Sequence, residues 1–151
     1  MDIPLRVISY DGAGYRAQLL ADRDEGGKKK RKPRYPVVTL VLYFGLSHWN
    51  KPKNLLDCLQ IPPELKPYVS DYKVNVFEIA WLEPETVKRF KSDFRIVADY
   101  FVQLRTNQKY NPSPETIRHV HEVLQLMAVL SGNREFEKAL SETEERRNEH
   151  V

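Results

Sequence analysis

The chain has 151 residues, 41% hydrophobic and 11% aromatic, enough apolar material for a core and too little chain for two independent domains. Twenty-four Lys and Arg against 21 Asp and Glu leave a formal charge of only +3, so any affinity for nucleic acid must come from where the charge sits rather than from its sum. The single cysteine, Cys58, excludes an internal disulfide framework and a multi-cysteine zinc site and suits a reducing compartment. No apolar run approaches the roughly 18 residues of a membrane span, and residues 1–6 lack the order of a signal peptide, so a cytoplasmic location without membrane contact is expected.

In the first 20 residues, Leu5, Ile8, Tyr15, Leu19 and Leu20 fall mostly at helical spacing, and the sequence predicts a helix with these residues as its apolar side. Gly12 and Gly14 weaken it by about 1 kcal/mol each, but a residue without Cβ also allows another segment to come close. From 26 to 36 the sequence turns to GGKKKRKPRYP, an exposed loop bounded by glycines and prolines. Residues 37–44 (VVTLVLYF) follow, β-branched and aromatic without alternation, which predicts a strand buried on both faces.

Pro52, Pro62, Pro63 and Pro67 make the next stretch mostly irregular, with a short helical turn over 54–59 capped by Asn54. Residues 72–79 (YKVNVFEI) predict a second strand nearer a sheet edge. Ser92 is placed to cap a helix carrying Phe94, Val97, Phe101 and Leu104 on one stripe. Ser113 and Pro114 are placed to start another, with Ile117, Val120, Leu124, Met127 and Leu130 on one face and Gly132 as its stop. Beyond Gly132 only Phe136, Ala139 and Leu140 are apolar up to Ser141, so the last helix is expected to fray into solvent.

The strongest chemical signal is the basic loop. Lys28, Lys29, Lys30, Arg31, Lys32 and Arg34 place six positive charges in seven positions, and such side chains bind DNA or RNA phosphates by releasing counterions. Tyr35 is the only neighbouring aromatic, so contact would be with the backbone rather than the bases. A solvated loop between a helix and a strand has the same composition. Metal-dependent phosphodiester cleavage needs carboxylates converging on Mg²⁺ beside a lysine. Glu64 and Lys66 have that spacing but lie between Pro63 and Pro67, and Asp71 with Lys73, at the head of a strand, lacks a second acidic partner. His119 and His121 lie about 200° apart around a helix and cannot share a metal, and Cys58 in a Leu-rich turn reads as a small buried hydrophobe. No nucleophile elbow, phosphate-binding glycine loop or dinucleotide fingerprint is present.

The run PVVTLVLYFG at 36–45, then Trp49 with Pro52, Leu55, Leu56 and Asp57, and PELKP at 63–67, resemble the recombination-promoting nuclease (Rpn) and putative transposase family of bacteria, also called YhgA-like. Pro4 to Val7, Tyr10 and Asp11, and Tyr15 to Leu19 look like the helix before that strand, and the likeness covers roughly residues 4–130. It implies a PD-(D/E)xK nuclease fold that cuts DNA with Mg²⁺ and promotes recombination. In that family the catalytic aspartate and the acidic or amide residue after it lie on strands upstream of the tyrosine-rich helix. Catalytic acids are therefore expected upstream of Met1, as in a truncated or internally started frame, and no residue here inherits those roles.

The expectation is an α/β fold: a partial PD-(D/E)xK-like core of helix, central buried strand 37–44 and neighbouring strand 72–79, followed by a helical C-terminal region. Residues 1–131 would form the C-terminal portion of the nuclease-like domain and 132–151 a charged helical tail. The expected function is membership of a Mg²⁺-dependent DNA endonuclease family without catalytic acids or a cofactor of its own, with DNA as partner. The alternative is a non-catalytic interaction or regulatory protein that self-associates or pairs with a full-length relative through an unpaired sheet edge. A weaker third reading is a general RNA- or nucleic-acid-binding module resting on the basic loop alone.

Overall fold

Pro4 occupies the first turn of helix α1 (Ile3–Leu20), where a missing backbone N–H leaves no hydrogen bond unmade. A computed structural model of the chain, describing residues 2–22 and 31–148, continues with strands β1 (Leu40–Tyr43) and β2 (Asn75–Glu78), and helices α2 (Pro84–Lys88), α3 (Phe94–Asn107), α4 (Val120–Ser131) and α5 (Arg134–Asn148). Short 3-10 turns stand at Leu56–Cys58, Pro63–Tyr68 and Ile79–Trp81. The mixture is α/β, with β1 and β2 paired in parallel as the only sheet among the described residues. No helix among those residues is long and apolar enough to cross a membrane. The chain divides into two compact units, Met1–Leu42 with Trp49–Phe77, and Tyr43–His48 with Glu78–Val151.

In the first unit, α1 buries Pro4, Val7 and Asp11, residues three and four apart on one stripe. The apolar side expected from the sequence faces out instead, with Tyr15, Leu19 and Leu20 exposed. The reason is Asp11, only 4% exposed, whose two carboxylate oxygens each accept one hydroxyl hydrogen bond, from Thr39 and from Tyr72. A buried carboxylate is tolerable when both oxygens are satisfied, and here the satisfied face is the inner one. Gly14 continues that face: a Cβ there would meet Val37 at 3.0 Å, so the second glycine is a close-approach point, whereas Gly12 has open space.

The strand expected over 37–44 is shorter, and it is neither central nor buried on both faces. Leu40 is 54% and Leu42 46% exposed, alternating with half-buried Val41 and Tyr43, because in a two-stranded sheet each strand has one neighbour and no interior position exists. The strand expected over 72–79 is β2, beside β1 as expected and also half-exposed. Asn54 does not cap the turn after it but pairs with Lys73 in an antiparallel bridge. That bridge carries the bonds Leu55 N to Tyr72 O (3.0 Å) and Val74 N to Lys53 O (2.8 Å), and buries Leu55 and Val74.

The second unit is built on α3. Val97, Tyr100 and Phe101 pack with Ala80, Val123 and Met127, and Ala98 and Val102 pack with Ile79 and Val87, so residues 97, 98, 101 and 102 face inward as the stripe requires. Ser92 does not cap α3; the N-cap residue is Asp93, whose side chain instead accepts N–H bonds from Arg118 (3.1 Å) and His119 (2.7 Å), the residues just before α4. Helix α4 accordingly begins at Val120 rather than at Pro114, and Ile117 joins the core from irregular chain. Gly132, at φ +63°, ends α4 in the left-handed conformation, and α5 follows as the charged helix Arg134–Asn148, with Phe136 reaching the ring of Tyr100 (5.2 Å).

Replacing Asp11 by Ala leaves two hydroxyls without their acceptor, and each bond to a charged group contributes about 1.5–3 kcal/mol. The urea midpoint of Asp11→Ala is expected well below wild type, with Tyr72→Phe between the two. Gly12→Ala should raise stability by about 0.5–1 kcal/mol, and Gly14→Ala by less or not at all, since only its methyl meets Val37.

Candidate nucleic-acid interface

Of the six basic loop residues, Lys28, Lys29 and Lys30 lie outside the described residues. Arg31 and Lys32 are exposed. Arg34 is committed elsewhere: its guanidinium forms an ion pair with Asp22, donates to a second oxygen of the same carboxylate (2.9 Å) and to the Gln18 carbonyl (2.8 Å). A planar fork matched to a carboxylate is a strong and directional pair. The backbone N–H of Lys32 also donates to Asp22 at 3.0 Å.

Below this pair Gln18 works in both directions, its amide donating to the Tyr35 carbonyl and its oxygen accepting the Tyr35 N–H, both at 2.8 Å. One turn earlier the Tyr15 hydroxyl accepts the N–H of Val37 at 3.1 Å. Tyr15 and Gln18 on α1 and Asp22, two residues beyond its end, thus hold the incoming chain at 37, 35 and 32–34. The result is a neck that ties the far end of the basic segment, from Lys32 to Val37, to the last turns of α1 and to Asp22 just beyond them. The Arg34 guanidinium beside Asp22 holds that carboxyl down at about 2.

The two carboxylate-lysine spacings do not form a metal site. Glu64 and Lys66 sit in the 3-10 turn Pro63–Tyr68, where a two-residue step turns the side chains to different sides. Asp71 spends one oxygen on the N–H groups of Leu56 (3.1 Å) and Tyr72 (2.8 Å), as a turn-forming aspartate does. Among the described residues no group of three or more His, Cys, Asp or Glu is placed to hold a metal ion, so the residues present do not fit the Mg²⁺ that the resemblance implies.

The remaining candidates are occupied structurally. His119 Nδ1 lies 3.1 Å from Asp93 and His121 Nδ1 3.8 Å from Glu144, so the two rings serve different partners. The Cys58 thiol points to the Asn54 carbonyl (3.7 Å), and burial pushes it up, away from thiolate character. The Tyr72 phenol is pushed up to about 12 by its bond to Asp11 and keeps its proton.

Sequence reasoning missed a stack in the second unit. The ring of His48 lies 3.6 Å from Trp81, nearly parallel to it, and Arg105 covers the same indole at 4.2 Å while its Nε donates to the Ala80 carbonyl (2.6 Å). His48 Nδ1 is 3.2 Å from a Glu78 oxygen. A cleft of about 280 Å³ in that unit is lined by Ile96, Tyr110, Pro112 and Ile117, with the Arg95 and Glu115 ion pair on its wall. Nothing in the linear spacing of residues 48, 78, 81 and 105 announces the stack.

Comparison with known proteins finds a match to the family model described as "Putative transposase, YhgA-like", over residues 10–134. No curated protein and no solved structure matches the chain.

The neck makes a titration prediction. A carboxyl held at about 2 against an ordinary 3.8 contributes stability that is complete above the ordinary range and is lost as pH falls through the lower value. Carboxyl NMR titration of Asp22 should show a midpoint near 2, returning toward 3.8 in Arg34→Gln.

Proposed function

The chain belongs to the "Putative transposase, YhgA-like" family, and from that premise we propose that it is the DNA-contacting and scaffolding part of a Mg²⁺-dependent endonuclease of the PD-(D/E)xK kind that promotes recombination. The proposal gives this chain backbone contact with DNA and leaves phosphodiester cleavage to carboxylates it does not itself carry. The observation that supports it is the neck. A charged loop that is merely solvated needs no anchoring, whereas here Tyr15 and Gln18 of α1 and Asp22 just beyond it hold the chain that follows Lys28, Lys29, Lys30 and Arg31. Fixing the base reduces the entropy that phosphate binding would otherwise cost.

The proposal separates the six positive residues into two roles. Arg34 holds the neck, and the other five face phosphate. Fluorescence anisotropy of a labelled duplex over a salt series should give a steep slope for wild type, shallower by about 0.9 for each phosphate that no longer meets a cation when the five are changed to Gln. Unchanged affinity and slope would remove the DNA role. The purified chain with Mg²⁺ should leave plasmid DNA intact; cleavage that disappears in Asp71→Ala would show that it carries an active site.

A second reading, that the chain pairs with itself or with a longer relative, draws on the apolar side chains that the first unit leaves exposed. Leu19, Leu20, Val38, Leu40, Leu42 and Phe77 are all in solvent, and burying each contributes roughly 1.5–3 kcal/mol. Light scattering after size exclusion distinguishes the readings, since a well-folded strict monomer that captures no relative would remove this one.

A further inference from the structure

The first unit carries a second positive feature, remote in sequence from the basic loop. The antiparallel bridge between Asn54 and Lys73 sets residues 53–55 against 72–74, and beside it runs a groove of about 230 Å³ lined by Lys53, Lys73, Val74, Asn75, Val76 and Phe77. Its only charged lining residues are the two lysines. Both are exposed, and neither forms an ion pair with a carboxylate among the described residues.

The acidic residues nearest in sequence are turned to other tasks. Asp71 accepts the N–H groups of Leu56 and Tyr72, and Asp57 accepts the Asn54 amide at 3.4 Å. Neither carboxylate forms an ion pair with Lys53 or Lys73.

The bridge brings the backbones of the two lysine-bearing segments together. Lys73 is opposite Asn54 and Lys53 is opposite Val74, and along paired strands successive side chains leave on opposite faces. Both lysines nevertheless line the one groove. Two residues before Lys53, Lys51 lies over the Trp49 ring at 5.9 Å, which extends the positive edge beyond the groove, and Asn75 adds an amide able to donate to an anionic oxygen. Two cations and an amide lining one open groove that holds no acidic residue match a chain of phosphates.

We propose that this groove is a phosphate-backbone contact for duplex DNA, with Lys53 and Lys73 as its two clamping residues, separate from the loop at 28–34. The proposal rests on the reading that this chain contacts DNA, and it adds the place on the fold where a second stretch of backbone is held. Neither lysine touches a base edge, so the contact is independent of sequence.

The test is the anisotropy salt series on the full chain, with wild type, Lys53→Gln with Lys73→Gln, Lys53→Arg with Lys73→Arg, and the five-residue loop variant, using two duplexes of unrelated sequence. Thermal melts by circular dichroism establish that the exposed substitutions leave the fold intact. The double Gln variant is expected to lower the slope of log affinity against log salt by about 1.8, that is about 0.9 for each of two phosphates, equally on both duplexes, while the double Arg variant keeps the wild-type slope. Wild-type binding whose slope is lowered by the loop variant but untouched by the Gln pair would overturn the groove and leave the DNA reading standing. Absence of any salt-dependent DNA binding by wild type would overturn both.

Discussion

Asp11 brings a negative charge to a place where almost no water reaches it, and the first unit is organised around what that requires. One oxygen takes the hydroxyl of Thr39, just ahead of β1, and the other takes the phenol of Tyr72, just ahead of β2. Three segments distant in sequence are thereby fixed at one point, and the helix must turn its Pro4, Val7 and Asp11 face inward to do so. The orientation of α1 then determines which of its side chains, Tyr15 and Gln18, join Asp22 beyond its end in holding the loop. A buried carboxylate of this kind gives little net stability relative to an apolar core, but it specifies a single arrangement, since any other leaves its oxygens without donors.

The second unit uses the same device at its surface. Asp93 opens α3 and its carboxylate gathers the N–H groups at the start of α4, with the His119 N–H the foremost reason that the carboxyl is held below its ordinary range. The apolar contacts of α3 would allow α4 to slide along its axis; the hydrogen bonds at 118 and 119 set where it begins. Around them the aromatic contacts of Tyr100 with Phe101, Tyr110 and Phe136, all edge-on at 5.0–5.2 Å, use the geometry that ring quadrupoles favour.

The helices were legible where hydrophobic period alone decides the outcome. The stripe through Phe94, Val97, Phe101 and Leu104 is the core face of α3, and Gly132 ends α4 as its missing Cβ allows. The reading failed where one polar residue outranks several apolar ones. On α1 a count of leucines points to the wrong face, because the pull of Asp11 toward two hydroxyls is invisible until Thr39 and Tyr72 are brought near. An unbroken apolar run at 37–44 signals a covered strand only when neighbours exist to cover it, and the sequence of one strand carries no record of its neighbours. The six loop charges were visible as composition, but their division into one neck residue and five remaining charges depends on Asp22, which looks like any other surface aspartate. The pairing of Lys53 with Lys73 depends on a bridge between segments twenty residues apart and has no linear signature.

The neck also separates the length of the basic segment from the stability of what it joins. With its ends tied by Asp22 to Arg34 and Gln18 to Tyr35, the intervening chain is a closed loop, and the entropy of closure grows only with the logarithm of its length, about 0.6 kcal/mol for each doubling. Charges can be added, removed or respaced between residues 23 and 31 at little cost to the fold, provided the four side chains at its base are kept.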